Sequence, residues 1–164
     1  MGVCYTVGVS NLSTKNFLAA LGLALLAVVF WSWQDILLWQ RVFEDNELWQ
    51  FDSLYHQGWP VALYGFILFG ALVFIVAHRY LTAATFAVLT WLLANSGLAD
   101  ILYYLLDGRS IPASLPWLDE PGHPLFLFHP VTSLNIWWSP LLWAALLIAI
   151  WGLLDFLDFL GTPD

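Results

Sequence analysis

The sequence predicts an all-α fold: an integral membrane four-helix bundle in a single domain, 1–164, made of two tandem helical hairpins in a pseudo-two-fold repeat with interfacial connecting segments. Three observations predict it. Apolar residues make up 61% of the chain and charged residues 10%, against roughly 45–50% and 25% in soluble domains, so a water-soluble body could not hide this much apolar surface. Four long uncharged runs are separated by polar or proline-rich text. A phrase also recurs: Trp31 to Trp39 reads WSWQDILLW and Asn95 to Leu106 reads NSGLADILYYLL, which aligns Asp35-Ile36-Leu37-Leu38-Trp39 with Asp100-Ile101-Leu102-Tyr103-Tyr104.

Helix 1 is expected over about 17–41, with Ser13 or Thr14 as its cap. No charge occurs from Phe17 to Trp33, and Ala20 and Ala24 form a small-xxx-small pair for close helix contact. Helix 2 is expected over about 59–78, opened by Trp59-Pro60, since proline is tolerated in a first turn where its missing N–H costs nothing. The uncharged run from Trp59 to Ala77 extends about 27 Å at ~1.5 Å per residue, close to the thickness of a bilayer's hydrocarbon. His78-Arg79-Tyr80 is so brief an interruption that helix 3, about 81–106, must return antiparallel.

Between Asp107 and His129 the chain carries Pro112, Pro116, Pro121 and Pro124, with Pro130 just beyond. These forbid a long helix and predict an ordered loop laid on the membrane surface and anchored by Trp117, Leu118, Leu125, Phe126 and Phe128. Helix 4 is expected over about 133–159. The first repeat then covers about 17–78 and the second about 81–159, as parallel hairpins about an axis along the membrane normal.

Charge excludes some functions. One Lys and three Arg against twelve acids leave a net charge of −8, which argues against nucleic acid as a partner, because phosphate binding needs a basic surface. Cys4 is the only cysteine, so an internal disulfide, a CxxC redox pair and a thiolate metal cluster are excluded. The partners expected are membrane lipids and other membrane subunits or further copies of the chain, in the cell membrane, with both termini cytoplasmic so that the long acidic connections lie outside.

The repeat implies a site. Asp35 lies about 27 Å along helix 1 from Phe17, and Asp100 about 30 Å along helix 3 from Tyr80, so both acids reach the same membrane face. Tyr55-His56 precedes helix 2 and Phe128-His129 precedes helix 4. Carboxylate and imidazole are ligands for a divalent transition metal, and Asp35, His56, Asp100 and His129 would close a four-coordinate site. Gln34, Asn95, Tyr103, Tyr104 and His123 are the candidate supporting shell. The structural alternative is that these acids are solvated or bonded to a neighbouring Trp N–H, Tyr hydroxyl or His.

The text Asp35 to Trp39, then Phe51-Asp52-Ser53-Leu54-Tyr55-His56, then Asn95 through Asp100, resembles an uncharacterised family of small bacterial and archaeal four-helix membrane proteins. In that family an Asp ends helix 1, a Phe-His pair opens helix 2 and an Asn-acid pattern marks helix 3. This chain has Trp39 and Tyr103-Tyr104 where the family has further helical histidines, and the resemblance implies no established activity. The functional expectation is a non-catalytic accessory subunit of a larger membrane assembly. The alternatives are a metal-site enzyme or metal-binding protein using the paired Asp and His, and a lipid- or quinone-binding protein.

Overall fold

The computed structural model describes residues 13–38, 41, 52–119 and 125–161, without the side chains of 52–56, 155 and 157–161. The described residues are all-helical apart from their connections, with four helical rods among them, three long and apolar enough to cross a membrane.

The first rod is α1, Thr14–Asp35, capped by Ser13, whose side chain accepts from the Asn16 N–H at 3.4 Å. Its buried stripe runs Phe17, Ala20, Ala24, Ala27, Val28 and Trp31, a spacing of three and four that keeps one face inward. The second rod is α2, Asp52–Val76, with Pro60 inside it. It begins seven residues before the expected Trp59, so Pro60 falls in the helix interior, where it removes one backbone bond and crowds the carbonyl four residues before it.

The third rod differs most from expectation. In place of one unbroken helix over 81–106 there are α3, Tyr80–Leu93, a wide turn over Ala94–Leu98, and α4, Ala99–Asp107. The cause is Gly97, whose φ of 100° is left-handed and open to glycine alone at low cost. A Cβ there would also lie 2.8 Å from the Phe126 ring and 3.2 Å from Ile136.

The fourth rod is α5, Trp138–Gly161, which starts after the expected Ser133. Thr132 and Asn135 close a turn of their own first: the Thr132 N–H donates to Asn135 Oδ1 at 2.7 Å and the Asn135 N–H to Thr132 Oγ1 at 3.3 Å. Pro140 then falls in the first helical turn, where it is tolerated.

Two cores result. The helix core joins the α1 stripe to Leu63, Ile67 and Ala71 of α2 and to Ala83, Phe86, Leu89 and Leu93 of α3, with Trp151 of α5 packed against it. At one end of the rods a rim core gathers Ile101, Leu115, Leu118, Phe126, Val131 and Ile136, so the described parts of the proline-rich connection, up to 119 and from 125, form an ordered cap with a short turn at Pro116–Asp119.

Candidate functional site

The rim end holds the residues singled out by the repeated phrase. Asp35 is the last residue of α1 and Asp100 stands in the first turn of α4. Both are half-buried, and they lie within electrostatic reach of each other. The Trp117 indole, half-exposed on the rim cap, presents its N–H to the Asp100 carboxylate. Two carboxylates in one field favour a counter-charge between or beside them.

The other candidates have separate tasks. His129 Nε2 donates to the Phe126 carbonyl at 3.1 Å, and its Nδ1 lies 2.9 Å from Asp119 Oδ1. The same Asp119 oxygen accepts the Val131 N–H at 2.9 Å. The hydrogen bond with His129, then the one from Val131, holds the Asp119 carboxyl below its ordinary range. This carboxylate thus pins the short turn to the irregular segment that precedes α5.

Tyr103 and Tyr104 meet edge to face at 5.3 Å, and Arg109 lies over both rings, 5.3 Å and 5.8 Å from their centroids. Arg109 also donates to the Tyr103 hydroxyl at 3.0 Å and pairs with Asp107. Burial opposes the guanidinium charge, but the Tyr103 bond and the Asp107 carboxylate outweigh it and raise its proton affinity. Asn95 donates to the Trp91 carbonyl at 2.8 Å, repairing the helix where the wide turn begins. Gln34 is half-buried beside Asp35.

Of the four proposed metal ligands, the two aspartates lie within electrostatic reach of each other and His129 meets Asp119. The His56 side chain and His123 lie outside the described residues. Among the described residues no three of His, Cys, Asp and Glu gather closely enough to hold a metal ion.

A second feature lies deeper in the rods. An apolar groove of about 380 Å³ runs between Leu23, Leu26 and Phe30 of α1 and Phe66, Gly70 and Phe74 of α2, with Phe86 of α3 beside it. Gly70 permits the close approach of Phe86, since a Cβ at that position would lie 2.4 Å from the ring.

Three residues beside the site were not singled out by sequence reasoning: Trp117, Gly97, and Ser32, whose hydroxyl lies 3.1 Å from the Ala99 carbonyl next to Asp100. Trp117 read as a membrane anchor and Ser32 as one more residue of an apolar run. For Gly97 a signal existed, because a glycine inside a helical pattern marks a weak point. Comparison with known family models, characterised proteins and solved structures gives no match.

Proposed function

We propose that the chain is a multi-pass protein of the cell membrane, with cytoplasmic termini, that serves as a non-catalytic subunit and docks other membrane helices on α2 and α5. The observation that carries this reading is a pair of exposed small-residue stripes. Gly58, Ala62 and Gly65 on α2 and Ala145, Ala149 and Gly152 on α5 are all exposed. Both sets have the spacing i, i+4, i+7, which aligns them on one helix face. A Cβ at Gly58, Gly65 or Gly152 would meet nothing within 4 Å.

The same spacing occurs in α1 as Ala20, Ala24 and Ala27, exposed by only 0%, 0% and 6%. There it brings α1 close to α3. In lipid, where burying apolar surface gives no preference between a neighbour and a hydrocarbon tail, small residues promote association by letting backbones approach. The stripes on α2 and α5 offer other helices what α1 offers α3. Their occurrence on the second helix of each hairpin, together with the nearness of Asp35 and Asp100, also supports the tandem repeat.

The test uses substitutions that the isolated chain has room for. Gly65→Leu and Gly152→Leu are expected to release the chain from its assembly on native gels of mild-detergent membrane extracts while leaving its thermal unfolding intact. Unchanged migration of both variants would end the docking reading.

A lipid or quinone tail is the second reading, favoured by the groove at Gly70 and Phe86. It predicts a co-purified chain-bearing ligand in mass spectra of the wild type that is lost in Leu26→Trp, whose larger side chain would narrow the groove from its exposed wall.

A further inference from the structure

The third rod changes cores at its break. Ala94 and Ala99 belong to the helix core and Ile101 to the rim core, so the transfer is made within a few residues of Gly97. In the wide turn, side chains take over carbonyls of the preceding turn: Asn95 Nδ2 donates to the Trp91 carbonyl at 2.8 Å and Ser96 Oγ to the Leu93 carbonyl at 3.1 Å. Both bonds lie on the α3 side of Gly97. Motion of α4 would leave them in place.

Beside the packing of Ala99 and Leu102 in the helix core, the polar tie from α4 to α1 across the break is Ser32, which is 1% exposed. Its hydroxyl lies 3.1 Å from the Ala99 carbonyl and 2.9 Å from the Val28 carbonyl on its own helix. A hydroxyl has one proton to donate. If α4 tilts away, Ser32 keeps a partner in Val28, a back-bond common for serine within helices. The exchange leaves no buried donor unpaired, so the usual penalty for opening a polar contact in an apolar core does not arise on the serine side.

We propose that Gly97 is a hinge on which α4 and the rim core rock against α1, that Ser32 is its two-position clasp, and that the motion sets the spacing of Asp35 and Asp100. The two acids sit on opposite sides of the moving joint: Asp35 ends α1, and Asp100 rides in the first turn of α4. Phe126 is the wedge that seats the closed position, because its ring occupies the space a side chain at 97 would take. Wide turns within helices recur at functional joints for this reason, since the local hydrogen-bond ladder is already loosened. Carboxylates whose spacing changes alter their hold on a counter-charge. The inference stands apart from the docking reading and needs only the contacts across the break.

Electron-resonance distance measurements on the full chain test it, with Cys4→Ser removing the native thiol. Spin labels at Leu18→Cys and Leu105→Cys straddle the hinge, while labels at Leu18→Cys and Val88→Cys stay on α1 and α3. All three native side chains are exposed. Ser32→Val, which removes the clasp and crowds the Ala99 carbonyl 3.1 Å away, is expected to raise the displaced population of the straddling pair severalfold, as overpacking of one face does, and to leave the second pair unchanged. Phe126→Ala, which removes the wedge, is expected to shift the straddling pair in the same sense. An unaltered straddling distribution in both variants would overturn the hinge. So would equal broadening of both pairs, which is what general loosening produces.

Discussion

The helix core and the rim core hold themselves together by different means. In the helix core, backbone polar groups are satisfied within the rods, and cohesion comes from shape: the alanine stripe of α1, Phe86 set against Gly70, and Phe17 stacked on Trp151 at 4.9 Å. Its buried hydroxyls mostly bond backward, as Thr90 does to the Phe86 carbonyl at 2.8 Å. The rim core is irregular chain, and irregular chain must find partners for its backbone elsewhere. Side chains supply them: Asp119 takes the Val131 N–H, Ser139 takes the Leu127 N–H at 3.1 Å, and the Trp143 indole donates to the Leu125 carbonyl at 2.8 Å. Helices can thus pack by contour alone, whereas a proline-rich cap needs polar pins at every turn.

The largest expected effects separate the two cores. Leu118→Ala empties a fully buried position of the rim core and is expected to cost about 2–5 kcal/mol, the range for leucine deletion in a packed interior. Hydrogen exchange should rise across 111–119 and 125–136 and stay low in α1 and α3. Gly70→Ala acts in the opposite place, forcing a Cβ to within 2.4 Å of Phe86 at about 1–3 kcal/mol, as overpacking does. Exchange should then rise in α2 and α3 and not in the cap. If either substitution loosens both regions equally, the division into two cores is wrong.

The next effect concerns the pin at Asp119. Its carboxyl is held below the ordinary value of 3.8 by His129 and Val131. The sign follows from linkage: a native carboxyl with a lowered value stabilises in full above the unfolded value and loses that contribution as pH falls through the native one. The Val131 amide is therefore expected to exchange faster in Asp119→Asn than in the wild type at neutral pH. The two rates should converge in acid well below that value. A gap that persists there would show that the ionised carboxylate is not what holds the cap.

Rods and rim were legible to different degrees. Four helices follow from uncharged runs between breakers, and the shared DIL phrase points to Asp35 and Asp100, because apolar length and repeated text are local properties. The break at Gly97 was less legible: the residues that make it necessary, Phe126 and Ile136, lie about thirty to forty positions away and announce nothing beside the glycine. The pairing of His129 with Asp119 was hidden for the same reason. A histidine beside an aromatic residue reads alike whether it awaits a metal or holds a loop, and only the approach of the short turn decides which oxygen it meets. Helix limits shifted where one local bond set outweighed a pattern, as with the Thr132–Asn135 turn that delays α5.

The smallest effect compares two helix ends that close alike. After α4, Gly108 at φ 73° lets the Arg109 N–H reach the Tyr104 carbonyl at 3.0 Å and its own N–H reach Leu105 at 3.3 Å. After α2, the same two bonds form from Arg79 to Phe74 at 2.8 Å and from His78 to Ile75 at 2.9 Å, with His78 at φ 56° where glycine is usual. A left-handed residue with a Cβ costs about 1–2 kcal/mol, and glycine returns about half of that through the larger freedom of the unfolded chain. His78→Gly also forfeits the exposed contact between His78 Nδ1 and the Tyr80 hydroxyl at 3.2 Å, which water replaces at little cost. The net expectation is a gain of about 0.5–1 kcal/mol, read as a higher Tm in detergent. A lower Tm would mean that the Tyr80 contact outweighs the strain, so that the two helix ends share a hydrogen-bond pattern but not the same balance of forces.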